Sequence, residues 1–195
     1  MFNRKNFIEE SLTESSKTKL EVLRMCSDDI SKTADIFINA LKKGYKLMFC
    51  GNGGSAADSQ HIATEFVVRL SHDIKRPPIA AIALSTDSSN LTAGGNDIGF
   101  ENIFSRNVEA IGKPGDVLIG ISTSGNSMNI INAFKKASEL EITKVAFLGG
   151  NGGKLITDAE CSICVPSSNV QRIQESHITI GHILVEIVER ELYTK

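Results

Sequence analysis

Charge of one sign is what this chain has least of: 21 basic residues stand against 23 acidic ones, for a formal net charge of -2. No dense Lys/Arg run occurs, so the electrostatic case for a nucleic-acid partner is absent. No apolar run approaches the length of a bilayer span, which excludes an expected membrane segment. Residues 1–10 mix charges early and lack the apolar core of a secretory signal, so a cytoplasmic protein is expected. Cysteine is sparse. Cys26, Cys50, Cys161 and Cys164 sit mostly within apolar segments, and the C-x-x-C spacing at 161–164 has no second pair to complete a zinc set. Buried thiols are the expected reading. Internal repeats and low-complexity linkers are also missing, and 195 residues suit one domain with a helical extension over about 1–43.

Glycine and proline are absent from 8–43, where Leu12, Leu20, Leu23, Ile30, Ala34, Phe37 and Leu41 recur at roughly helical spacing. One or two long amphipathic helices are predicted there. Five short apolar runs follow, at 46–50, 79–84, 116–121, 144–148 and 161–165, with helix-like segments at 56–70, 100–111 and 128–140. Strands alternating with helices predict a parallel sheet covered on both faces. A final helix is predicted over about 170–193, apolar at Ile173, Ile180, Leu184, Ile187 and Val188. The two terminal helices exceed what one small sheet needs for cover, so part of their apolar surface is expected in an oligomer interface.

Three stretches carry chemistry. Phe49-Cys50-Gly51-Asn52-Gly53-Gly54-Ser55 reads as a strand breaking at glycines into a helix that bears His61 and Glu65 four residues apart, on one face. The glycine turn and helix N-terminus form a cradle for an anion or hydroxyl, and the His/Glu pair suits a metal or proton transfer. Ser122-Thr123-Ser124-Gly125-Asn126-Ser127 lies at a second strand-to-helix junction, where hydroxyls, backbone N–H groups and the helix dipole can surround a phosphate without lysine. Two such loops at the carboxyl ends of neighbouring strands favour phosphate binding, because open α/β sheets hold ligands at that edge. Neither loop is a Walker or G-x-G-x-x-G sequence, which disfavours nucleotide cofactors. The third stretch, 172–182, carries Gln174, His177 and His182; Gln174 and His182 are two turns apart and about 80° around an ideal helix. His177 reads as a core residue. The glycine-rich 93–100 reads as a loop with Asx-turns, or as a sugar-binding stretch through Asn96 and Asp97.

Taken together, Cys50 to Asp58 with Gln60-His61, Asn96-Asp97 with Gly99-Phe100, Gly115 to Leu118 with Ser122 to Ser127, and Arg172 to Glu175 with His177 and His182 resemble the sugar isomerase (SIS) domain family, and within it the phosphoheptose isomerases. The likeness spans nearly the whole chain. It implies a three-layer α/β/α sandwich on a five-stranded parallel sheet, a homotetramer with active sites at subunit interfaces, and conversion of sedoheptulose 7-phosphate to D-glycero-D-manno-heptose 7-phosphate on the way to nucleotide-activated heptose for lipopolysaccharide or capsule. It further implies zinc held by His61, Glu65, Gln174 and His182, with Glu65 as the carbon base and His182 as its acid–base partner. Ser122, Thr123, Ser124 and Ser127, helped by Ser55, would hold the phosphate. Asn52, Gly53, Gly54, Asn96, Asp97 and Gln174 would line the sugar.

Two departures from the family pattern bear on substrate preference: Asn169-Val170-Gln171 precedes Arg172, and Gly94 stands where a larger residue is usual. The rival class is a non-catalytic SIS regulator of the initiator-associating type, which lacks the acid–base pair. Retention of Glu65, His182 and His61 argues against it. A sugar-sensing transcription factor is disfavoured by the absence of a DNA-binding segment, and isomerisation of another phosphosugar by the His/Glu and Gln/His sets.

Overall fold

The structure is a computed structural model that describes residues 2–194. One helix, α1 (Arg4–Lys42), covers the glycine- and proline-free stretch and starts at Asn3, whose side chain accepts from the Lys5 and Asn6 amides. There follow β1 (Leu47–Gly51), α2 (Gly54–Val67), β2 (Ala81–Ala83), α3 (Ser88–Asp97), a 3₁₀ turn and α4 (Ile103–Ile111). Then come β3 (Val117–Ser122), α5 (Met128–Glu139), β4 (Thr143–Gly149), β5 (Cys161–Val165) and α6 (Val170–Tyr193).

All pairings are parallel, in the order β2-β1-β3-β4-β5, with Cys50 opposite Gly120 and Gly51 opposite Ile121. The period of two in each strand sorts the core into two layers. Leu47, Phe49, Ile119, Val145 and Phe147 join Phe37, Phe66, Ile180 and Leu184 under α1, α2 and α6. Met48, Cys50, Leu118, Ala146 and Leu148 join Phe104, Val108, Ile130 and Phe134 under α4 and α5. This is the three-layer α/β/α sandwich. At the amino edge Asp116 accepts from the Lys46 and Lys113 amides and pairs with Lys46 Nζ, which ties the starts of β1 and β3.

Two expectations change. The packed face of α1 runs through Thr18, Val22, Cys26, Ile30, Ala34 and Phe37, whereas Leu12, Leu20 and Leu23 are 68%, 62% and 66% exposed. The apolar spacing in the first half of α1 therefore marks an outward face. The second change concerns 93–100, expected as a loop. Its first half completes α3, whose start Asp87 caps through the Asn90 amide at 3.0 Å, which offsets part of the poor propensity of Gly94 and Gly95, and Gly94 lies against the Ile103 side chain. At 161–164 the reading as packed thiols stands: Cys161 is buried and Cys164 half-buried, and three residues apart on a strand the two thiols point to opposite faces and cannot converge on one ion. Burial pushes their thiols and that of Cys50 upward, the last to about 12.

Candidate active site

Strand order reverses between β1 and β3, so the loops leaving them flank one crevice at the carboxyl edge. At the first loop, Gly53 turns the chain at φ 55°, a left-handed value that favours glycine, and α2 begins at once. At the second, Gly125 has φ 63°, and a Cβ there would fall on the Gly152 carbonyl oxygen. Its backbone is clasped by the β4–β5 connection: Leu155 N donates to Gly125 O at 3.1 Å, and Lys154 N to Asn126 Oδ1 at 3.3 Å.

The caps differ in a telling way. Asn3, Asp87 and Asn169 side chains cap α1, α3 and α6, whereas neither Gly53 nor Ser127 gives a side-chain cap to α2 or α5. Ser127 Oγ instead pairs with Ser122 Oγ at 3.1 Å, and Ser122 Oγ also accepts from Gly125 N at 3.1 Å. In the first turns, the Ser55, Ala56 and Ile130 amides bond to backbone carbonyls, which leaves those of Gly54 in α2 and of Met128 and Asn129 in α5 to face a ligand at the crevice. Thr123 and Ser124 open onto a cavity of about 250 Å³ shared with Gly150, Ser167 and Ser168. Ser55 is buried at the start of α2.

A residue the motif reading overlooked joins the two loops. Asn129, buried in the first turn of α5, exchanges reciprocal carboxamide bonds with Asn52 at 3.0 and 2.8 Å. Its only sequence signal is its place two residues after the Ser/Thr loop.

The acid–base candidates come from two helices that run parallel and in step. Gly54 meets Gln174, Gly181 meets Ile62, and the Leu70 amide reaches Glu189. With no side chain at Gly181, α6 approaches α2 closely enough for His61 and His182 to touch, Nε2 to Nε2 at 3.0 Å. Glu65 Oε1 lies 3.2 Å from His61 Nε2, and one ligand atom from each of His61, Glu65 and His182 falls within 4.8 Å of the others. Two imidazoles and a carboxylate suit a borderline divalent metal. Tetrahedral bonds of ~2.0–2.1 Å would set two such nitrogens roughly 3.3 Å apart, close to the spacing here. The donor set fits a metal.

The remaining predicted residues are not in that group. The Gln174 carboxamide packs on Gly54, about 10 Å of helix axis short of His61. Asn96 and Asp97 are exposed and bonded to one another at 2.7 Å, on a helix with no buried residue. Asp58, one turn before His61, has a buried carboxylate oxygen without a partner among the described residues; burial pushes this carboxyl up to about 6 against the pull of His61. His177 is core, as expected: fully buried, it bonds Leu148 O at 2.9 Å and is pushed down to about 4 by burial.

Fold and site together define a phosphosugar-type α/β domain, and comparison agrees: the model of the SIS domain family matches residues 12–149, and the chain belongs to that family. It is 52% identical over 191 residues to the phosphoheptose isomerase of Clostridium acetobutylicum, covering 97% of this chain and 96% of that protein. The Aquifex aeolicus phosphoheptose isomerase is 52% identical over 93% of this chain and 94% of its own length. Among solved structures, the phosphoheptose isomerase of Francisella tularensis superposes with TM-score 0.92 at 35% identity, covering 97% of this chain and all of the other. That of Neisseria gonorrhoeae gives 0.89 at 38%, over 95% and 98%. Within the SIS domain family the chain groups with the phosphoheptose isomerases.

Proposed function

We propose that this protein isomerises D-sedoheptulose 7-phosphate to D-glycero-D-manno-heptose 7-phosphate. The observation that carries the reading is the convergence of Glu65 and His182, 117 residues apart in sequence, beside a crevice with two helix N-termini that lack side-chain caps. Kinship with enzymes named phosphoheptose isomerase at 52% identity supports the substrate.

Ketose and aldose differ in the placement of two hydrogens. Glu65 takes a proton from C1 of the ketose, which leaves an enediol(ate), and returns it to C2. His182 donates a proton to O2 as the carbonyl electrons move there, then accepts one from O1 as the aldehyde forms. Ser122, Thr123, Ser124 and Ser127, with the α5 N-terminus and Ser55, hold the phosphate. The Asn52–Asn129 pair and the Gly53–Gly54 turn place the polyol. His61, Glu65 and His182 would hold a metal, zinc by the character of the donors, which when bound supplies Lewis-acid stabilisation of negative charge on the substrate oxygens. Gln174 is the fourth donor implied by resemblance, and its reach to that group requires its amide to leave Gly54.

The assembly we infer is a homotetramer with sites completed across interfaces. It rests on the outward apolar residues of α1 and on the groove of about 310 Å³ between α1 and α6, lined by Val22, Leu23, Ile180 and Ile183. The exposure of Asn96 and Asp97 adds support, since those residues need a further surface to enclose a sugar. We assign the protein to the cytoplasm; among the described residues no helix is long and apolar enough to cross a membrane. A coupled assay for heptose 7-phosphate formation, with and without chelator, tests the reading. Turnover lowered by chelator and restored by zinc is expected, and no turnover under either condition would end it.

A further inference from the structure

Beyond the carboxylate and imidazole lies a second fastening between the same two helices. Arg76, in the α2–β2 connection, and Glu189, on α6, form an ion pair of 2.7 Å whose side chains are 1% and 0% exposed. The same guanidinium donates through Nη2 to the backbone carbonyl of Glu65 at 2.7 Å and through Nη1 to Pro77 O at 3.0 Å. Glu189 Oε1 also accepts the Leu70 amide at 3.3 Å. The carbonyl of Glu65 is one of the last in α2, with no intrahelical partner beyond the helix end, and a cation there complements the helix dipole. On α6, Glu189 is seven residues after His182, so it projects from nearly the same face about two turns on.

Stability alone explains this arrangement poorly. A buried ion pair commonly adds little over a well-packed apolar pair, because both ions lose their hydration, and the second oxygen of Glu189 has no partner among the described residues. What the pair does supply is direction. One planar fork holds the backbone of Glu65 and the side chain of Glu189 together, so α2 cannot slide or rotate against α6 without breaking it. We propose that Arg76 and Glu189 are positioning residues: their ion pair sets the α2–α6 register that aims the Glu65 carboxylate at His182. This rests on the roles given to Glu65 and His182 above.

The full-length variants R76K and E189Q test it, each by turnover and by imidazole nitrogen NMR. Lysine keeps the charge but cannot span carbonyl and carboxylate with one rigid fork. The expected result is a kcat lower by ~10–100-fold, the range seen when groups behind a reacting site are removed. KM for the sugar phosphate should stay within about twofold, because the phosphate loop sits on β3 and α5. The His61 and His182 signals should move while that of His177, on the same helix, stays. R76A with added methylguanidinium should regain turnover lost in R76A alone. A kcat in R76K and E189Q within about twofold of the parent overturns the proposal. So does a loss that moves the His177 signal equally and is matched by loss of folded protein, since that marks a structural role. If the parent itself fails to turn over the sugar, the isomerase reading falls. The NMR arm then still decides, with unmoved His61 and His182 signals counting against the register role.

Discussion

Replacing Gly54 by alanine should separate stability from activity. Gly54 opens α2 with an ordinary helical backbone, unlike Gly53 before it, so alanine meets no conformational strain. Loss of unfolded-chain freedom then favours the variant by ~0.4–1 kcal/mol, which for a chain of this size is a rise in Tm of roughly 1–4 °C. The new methyl has one obstacle: it would stand 2.7 Å from Gln174 Nε2 and 3.1 Å from its Cδ. These atoms end a flexible side chain, so the amide swings aside and the backbone stays. Gln174 then loses its seat at the mouth of the crevice. If its amide serves the bound polyol or metal through one hydrogen bond, ~0.5–1.5 kcal/mol of transition-state binding goes with it, a fall in kcat/KM of about 2–13-fold. Thermal melts and the coupled isomerase assay on parent, G54A, Q174A and the double variant measure both effects. Q174A should fall at least as far, and the double variant no further. A G54A protein with parental kcat/KM, or with a Tm several degrees lower, would refute the argument that only the Gln174 amide yields.

Other outcomes follow from the same geometry. Glu65→Gln should cut kcat by ~10²–10⁴ with phosphate affinity retained, measured by turnover and by titration with inorganic phosphate. Gly181→Ala presses a methyl to within 2.5 Å of Ile62 Cδ1 and should cost ~1–3 kcal/mol in urea unfolding, with Ile62→Val restoring part of it. His177 has a folded pKa pushed down to about 4 from 6.5, so its contribution is full above 6.5 and fades as pH falls towards 4. Urea unfolding of parent minus His177→Phe should therefore slope by up to about 1.4 kcal/mol per pH unit in that window. The difference is needed because Asp58, raised to about 6, acts with the opposite sign: it favours the folded state in acid and gives that up as pH climbs through 6.

Sequence alone determined a great deal here, and for local reasons. Glycines that must turn a strand into a helix, hydroxyls at a second such junction, and alternating apolar runs are features of neighbouring residues, so the parallel sheet and both strand-to-helix loops could be read directly. His61 and Glu65 share a face because a helix imposes it. What tertiary structure decided was which distant elements meet. Leu12, Leu20 and Leu23 have helical spacing but no wall to pack against in the protomer, and spacing cannot reveal the wall. The end of 88–97 is helix in spite of two glycines, with Asp87 capping its start and Gly94 lying against Ile103 of α4, a contact the local sequence does not announce. The meeting of His182 with His61, the Asn52–Asn129 pair and the Arg76–Glu189 fastening all depend on α2 lying parallel to α6 and on β1 adjoining β3. Those placements come from burying two faces of one sheet at once, a condition on the whole chain that no stretch of it carries.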